Sequence, residues 1–201
     1  MSTTPPWDSA RNQAATLISR YSNGTYNRER AVLRRMDPLN PASDWDASAI
    51  LYSSGLSGVP PSVELAVATA IHLWAVNYNK HNTLPLDEEG NRVSIRFGAS
   101  LRSAAYAKNS GKEMDAGVIR RVSALVRSNT NASLVRHLRS VTTYTESVGV
   151  AIDYPSLASD LSTLLRPSGN LSRSSKTFAS WNRSFWQPLQ ATKESTQTQS
   201  A

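Results

Sequence analysis

Between Ala116 and Thr145 the chain carries five arginines and one histidine and no carboxylate. The arginines are Arg120, Arg121, Arg127, Arg136 and Arg139. A guanidinium is a planar fork of donors that fits phosphate oxygens and stays charged at any cellular pH. Solvated surfaces normally mix the two signs of charge. A stretch of one sign therefore points to an anionic partner, with a merely solvated arginine face as the plainer alternative. Upstream, NRERAVLRRM (27–36) holds Arg28, Arg30, Arg34 and Arg35, and SIRFGASLRSAAYA (94–107) holds Arg96 and Arg102, both expected to be exposed.

Bond-making chemistry finds no comparable support. His72 sits in the most apolar segment and reads as a hydrogen-bonded core residue, while His81 falls in a loop and His137 stands among arginines. HExxH, paired histidine ligands and a phosphate-loop lysine motif are absent from the sequence. Gly98-Ala99-Ser100 lacks the strand–turn–helix setting of a nucleophile elbow. Asp87-Glu88-Glu89 reads as a solvated acidic loop rather than a cation site. The expectation is a non-enzyme without metal or cofactor. Trp74, Trp181 and Phe185 fall at core spacing, which leaves Trp186 as the best candidate for an exposed aromatic able to stack on a base.

The elements that must position the arginines are helices. Val118, Val122, Leu125 and Val126 form one apolar stripe, and Leu134, Leu138 and Val141 form a second. A turn at 128–131 separates them, with Thr130 or Asn131 as the cap of the second helix. At 100° per residue, Arg120 and Arg127 oppose the first stripe and Arg121 flanks it, while Arg136 and Arg139 oppose the second. Further helices are predicted over 8–21, 27–36, 45–56, from Pro60 to Tyr78, from Asp153 to Leu165, and from Ser174 or Ser175 onward, with 94–107 a helix or a loop entering one. The segment after Pro60 is apolar nearly all round and should be a buried centre. Sustained alternation is absent, so the prediction is an all-α chain of eight or nine helices in two small bundles. The boundaries expected are 1–92, 93–189 and a polar, disordered tail over 190–201.

Charge divides along the same line. Residues 1–94 hold eight Lys/Arg against nine Asp/Glu, and residues 95–201 hold fourteen against six. Arginine supplies seventeen of the 22 basic residues. The chain has no cysteine, which excludes disulfides, thiolate metal sites and cysteine nucleophiles. The first residues lack the basic and apolar regions of a signal peptide, and the longest apolar run is too short to span a bilayer, so a soluble cytoplasmic protein is expected.

Taken in order, these segments resemble the CasB family, the small subunit of the type I-E CRISPR surveillance complex Cascade. The resemblance is carried by Val32-Leu33-Arg34-Arg35-Met36, by the apolar helix after Val59-Pro60, and by Ile95 to Arg102. It continues through the hairpin from Ile119-Arg120-Arg121 to Leu138-Arg139, then Asp153-Tyr154-Pro155-Ser156-Leu157 and Trp181-Asn182-Arg183-Ser184-Phe185-Trp186. It implies an all-α, non-catalytic subunit present as a head-to-tail pair along the backbone subunits and touching the large subunit. It also implies contact with the crRNA–target duplex and the displaced non-target strand, and no membrane. Carried onto this chain, the nucleic-acid contacts are Arg34, Arg35, Arg96, Arg102, Arg120, Arg121, Arg127, Arg136 and Arg139.

Two other readings remain. A helix-turn-helix regulator would use residues 132–148 for recognition, but their outward face, with Arg136, Arg139 and Thr143, is poor in base-reading amides. A purely structural assembly subunit would turn its arginines toward acidic protein surfaces.

Overall fold

The computed structural model describes residues 6–78, 84–87, 89, 92–108, 112–172 and 176–187. Within them lie nine α-helices and no strand: α1 (Pro6–Tyr21), α2 (Asn27–Arg35), α3 (Trp45–Leu51), α4 (Pro61–Val76), α5 (Phe97–Ala107), α6 (Ala116–Val126), α7 (Asn131–Ser147), α8 (Tyr154–Leu164) and α9 (Thr177–Trp186). The tail over 190–201, most of the 81–91 loop, and Ser174 and Ser175 lie outside the described residues.

Side-chain caps set several helix starts. Asp44 caps α3 by accepting the Ala47 N–H at 3.0 Å, and Asp153 caps α8 by accepting the Ser156 N–H at 2.9 Å. Thr130 caps α7 and forms a reciprocal box with Ser133. The helix expected over 45–56 ends sooner. After Leu51 the backbone widens into one π-type turn, and Gly55 takes a φ of 93°, a left-handed value that suits glycine.

Helix α4 is the buried centre, with Val63, Val67, Ala70, Ile71 and Trp74 all inside. Helix α1 covers it with Ala10, Ala14, Leu17, Ile18 and Tyr21, and α8 lies against both. Leu157, Ala158, Leu161, Leu164 and Leu165 complete that contact, although α8 was assigned from the sequence to the second unit. The buried side chains consequently form one continuous cluster from Ala10 to Phe185, running across the expected division at 92/93. The physical reason is that α1 and α4 leave an apolar face that no other helix of the first half covers.

Helix α9 docks on α5 at close range. A Cβ on Gly98 would meet the Trp181 carbonyl oxygen at 2.2 Å and the Ser184 Cβ at 2.9 Å. The absence of a side chain lets the Phe97 ring reach Trp181 edge-on at 4.9 Å, while Trp181 Nε1 donates to Asp160 Oδ2 at 2.5 Å. Burial pushes the Asp160 carboxyl up to about 6, against the opposing pull of that indole hydrogen bond. Gly98→Ala should therefore force α5 and α9 apart and destabilise the chain by about 3 kcal/mol, as overpacking against backbone does. A urea-unfolding midpoint equal to that of the unmodified chain would show that the two helices have room to separate.

Candidate nucleic-acid interface

The α6–α7 hairpin is held from its base. Asp115 caps α6 by accepting the Gly117 N–H at 2.6 Å, and its second oxygen accepts the Tyr144 hydroxyl of α7 at 3.1 Å. The Gly117 N–H, the Tyr144 hydroxyl and the nearby Lys108 charge hold the Asp115 carboxyl below the usual carboxylate range. Burial and the same hydrogen bond raise the Tyr144 phenol. Above Tyr144 lies the Arg121 guanidinium, 5.1 Å from the ring centre. One carboxylate and one aromatic ring thus join the two helices and fix the direction in which Arg121 leaves α6.

Rotation of α7 is set from below by Asn77, just past the end of α4. Its Nδ2 donates to Leu73 O at 2.9 Å and Thr142 Oγ1 at 3.0 Å, and its Oδ1 accepts from Thr143 Oγ1 at 2.8 Å. With Thr142 turned inward, the stripe Arg136, Ser140, Thr143 and Ser147 faces out. Together with Arg121, Arg139 and Tyr144 these residues line an open groove of about 520 Å³ without a carboxylate. Such a groove offers three guanidinium forks and several hydroxyls to an anionic chain. Among the described residues no group of three His, Asp or Glu could hold a metal ion.

The remaining predicted contacts distribute around this groove. Arg120 and Arg127 are exposed on the adjoining side of α6, where Arg120 Nε reaches back to Ala116 O at 3.3 Å. Arg34 and Arg35 are exposed at the end of α2, and Arg34 Nε donates to Ala75 O at 3.1 Å. His72, buried as expected, has Nδ1 3.1 Å from Leu33 O. Burial lowers its pKa, against the opposing pull of the Leu33 carbonyl. Arg96 is exposed at the start of α5.

One expectation requires correction. Arg102 is half-buried rather than exposed, because one of its amino groups donates to Gln187 O at 2.8 Å and ties α5 to the end of α9. Arg30 stands apart from the exposed Arg34 and Arg35 of the same helix. It is buried, donates at 2.6 Å to both Tyr21 O and Asn23 O, and stacks over Tyr78 at 4.3 Å. Ser140, Tyr144 and Ser147 were missed as groove residues. The spacing 136, 140, 143, 147 on one helix was the available signal.

Residues 29–186 match the sequence model of the family described as CRISPR-associated protein Cse2, a span covering most of the chain. The chain belongs to the Cse2 family. In three dimensions it is similar to CasB from Thermobifida fusca, with a TM-score of 0.59 at 18% identity over 92% of this chain and 99% of that one. That likeness supports the fold. No individual curated protein matches the sequence. Membership of the Cse2/CasB family supports a small structural subunit of Cascade. Among the described residues no single helix is long and apolar enough to cross a membrane.

The two kinds of arginine should separate in stability measurements. Arg30→Ala strips charged donors from the buried Tyr21 carbonyl and the part-buried Asn23 carbonyl and should cost roughly 3 kcal/mol. Arg136→Ala, on the open groove, should stay within about 0.5 kcal/mol of the unmodified chain. Equal effects in thermal or urea unfolding would contradict this assignment.

Proposed function

We propose that this chain, as a small Cascade subunit, provides a sequence-independent electrostatic track for the displaced non-target strand. In this reading it works as a head-to-tail pair beside the backbone and large subunits and stabilises the R-loop and the crRNA–target duplex. The observation that carries the reading is the α6–α7 groove, in which Arg121, Arg136 and Arg139 converge without a carboxylate. Arginines contacting phosphates release counterions and bind any sequence alike, while base pairing to the guide reads the target. Arg120 and Arg127 extend the track along α6, and Arg34 and Arg35 extend it toward α2. Arg96 contributes from the start of α5. Arg102 acts through its hold on Gln187, which supports the C-terminal end of the surface. The shortage of base-reading amides on the outward face of α7 disfavours sequence-specific duplex recognition.

The test is a titration of a labelled mixed-sequence single strand at several salt concentrations. Each phosphate neutralised contributes about 0.7 to the fall of log K with log salt, so neutralising Arg121, Arg136 and Arg139 to Gln should flatten the slope by about 2. The loss should be similar for unrelated sequences. An unchanged slope would assign the groove to a protein partner.

A further inference from the structure

We propose that the exposed face of α9 forms a second contact for single-stranded nucleic acid, with the Trp186 indole stacking on a base and Arg183 and Lys176 meeting phosphates. This inference rests on the single-strand reading given above but concerns a different surface.

Trp186 is 55% exposed at the last position of α9. Its ring packs nearly perpendicular to that of Phe185, with centroids 5.0 Å apart, and Phe185 is fully buried. The indole is thereby anchored while much of it faces solvent. The turn beneath it is also fixed, because Gln187 N donates to Arg183 O at 3.0 Å and Gln187 O accepts from Arg102 at 2.8 Å. A rigid aromatic loses little freedom on stacking, and a base of any identity offers it a π-face.

The charge around the ring fits phosphate. Arg183 lies one turn before Trp186, and Lys176 begins the helix about 15 Å away at 1.5 Å per residue. Both are exposed, and the sequence from Lys176 to Gln187 contains no Asp or Glu. The Asp160 carboxylate on neighbouring α8 is engaged by Trp181 Nε1 on the inner side of α9. The other exposed tryptophans differ in this respect. Trp45, 86% exposed, stands between Asp44 and Asp46, and Trp7, 49% exposed, precedes Asp8. Carboxylates there would repel a phosphate chain, whereas the cations of α9 would attract it.

The experiment titrates the full chain by fluorescence anisotropy against two labelled strands of equal length, one mixed-sequence DNA and one abasic. Trp186→Ala should weaken binding to the base-bearing strand roughly ten-fold without changing its salt slope, and leave binding to the abasic strand unchanged. Trp186→Phe should keep most of the affinity, Arg183→Gln should flatten the slope by about 0.7, and Trp45→Ala should change nothing. If Trp186→Ala binds both strands as the unmodified chain does, the stacking proposal is overturned while the groove reading stands. An equal loss on both strands would also overturn it, by showing a packing role. Failure of the unmodified chain to bind either strand would overturn both readings.

Discussion

The side chain of Asn77 joins three helices at the point where they meet. Its amide donates to α4 and to Thr142 of α7, lies 3.4 Å from the Tyr154 hydroxyl of α8, and accepts from Thr143. A buried amide must satisfy its donors and acceptor, and the rotation of α7 about its axis meets that demand here. This rotation turns Leu134, Leu138 and Val141 into the core and leaves Arg136, Ser140 and Thr143 outside. The cationic groove is therefore a consequence of polar bonding beneath it. Its cohesion comes from apolar burial, and its orientation comes from Asn77.

Arginine serves two purposes in this chain, and environment separates them. Arg30 is enclosed by backbone carbonyls and an aromatic ring and acts as a clamp between the end of α1 and α2, while Arg102 ties α5 to the end of α9. Arg121, Arg136 and Arg139 line an open groove. A guanidinium suits both settings because its fork matches carbonyl oxygens as well as phosphate oxygens. Lysine, a single hydrated point charge, would serve the clamps poorly.

Much of the architecture was legible from periodicity and end signals. The α6–α7 stripes, the Thr130 and Asp153 caps, the buried α4 with His72 inside it and the exposed Trp186 all follow from local spacing. What escaped depends on distant partners. Nothing in the α2 sequence marks Arg30 as buried, because its backbone acceptors lie at the end of α1 and in the turn after it. The contact of α8 with α1 and α4 was likewise invisible, since an amphipathic stripe does not say which surface it will cover. For the site, spacing identified the arginine faces, but which arginines converge depended on the Tyr144–Asp115 and Asn77 contacts.

The most direct measurement places a photo-crosslinking residue at Ser140, inside the groove, in a fully assembled surveillance complex bound to target DNA. If the groove is a track for the displaced strand, irradiation should join the subunit to that strand, at several positions and without sequence preference. Crosslinks confined to neighbouring protein subunits would contradict the account and make the arginine groove an assembly surface.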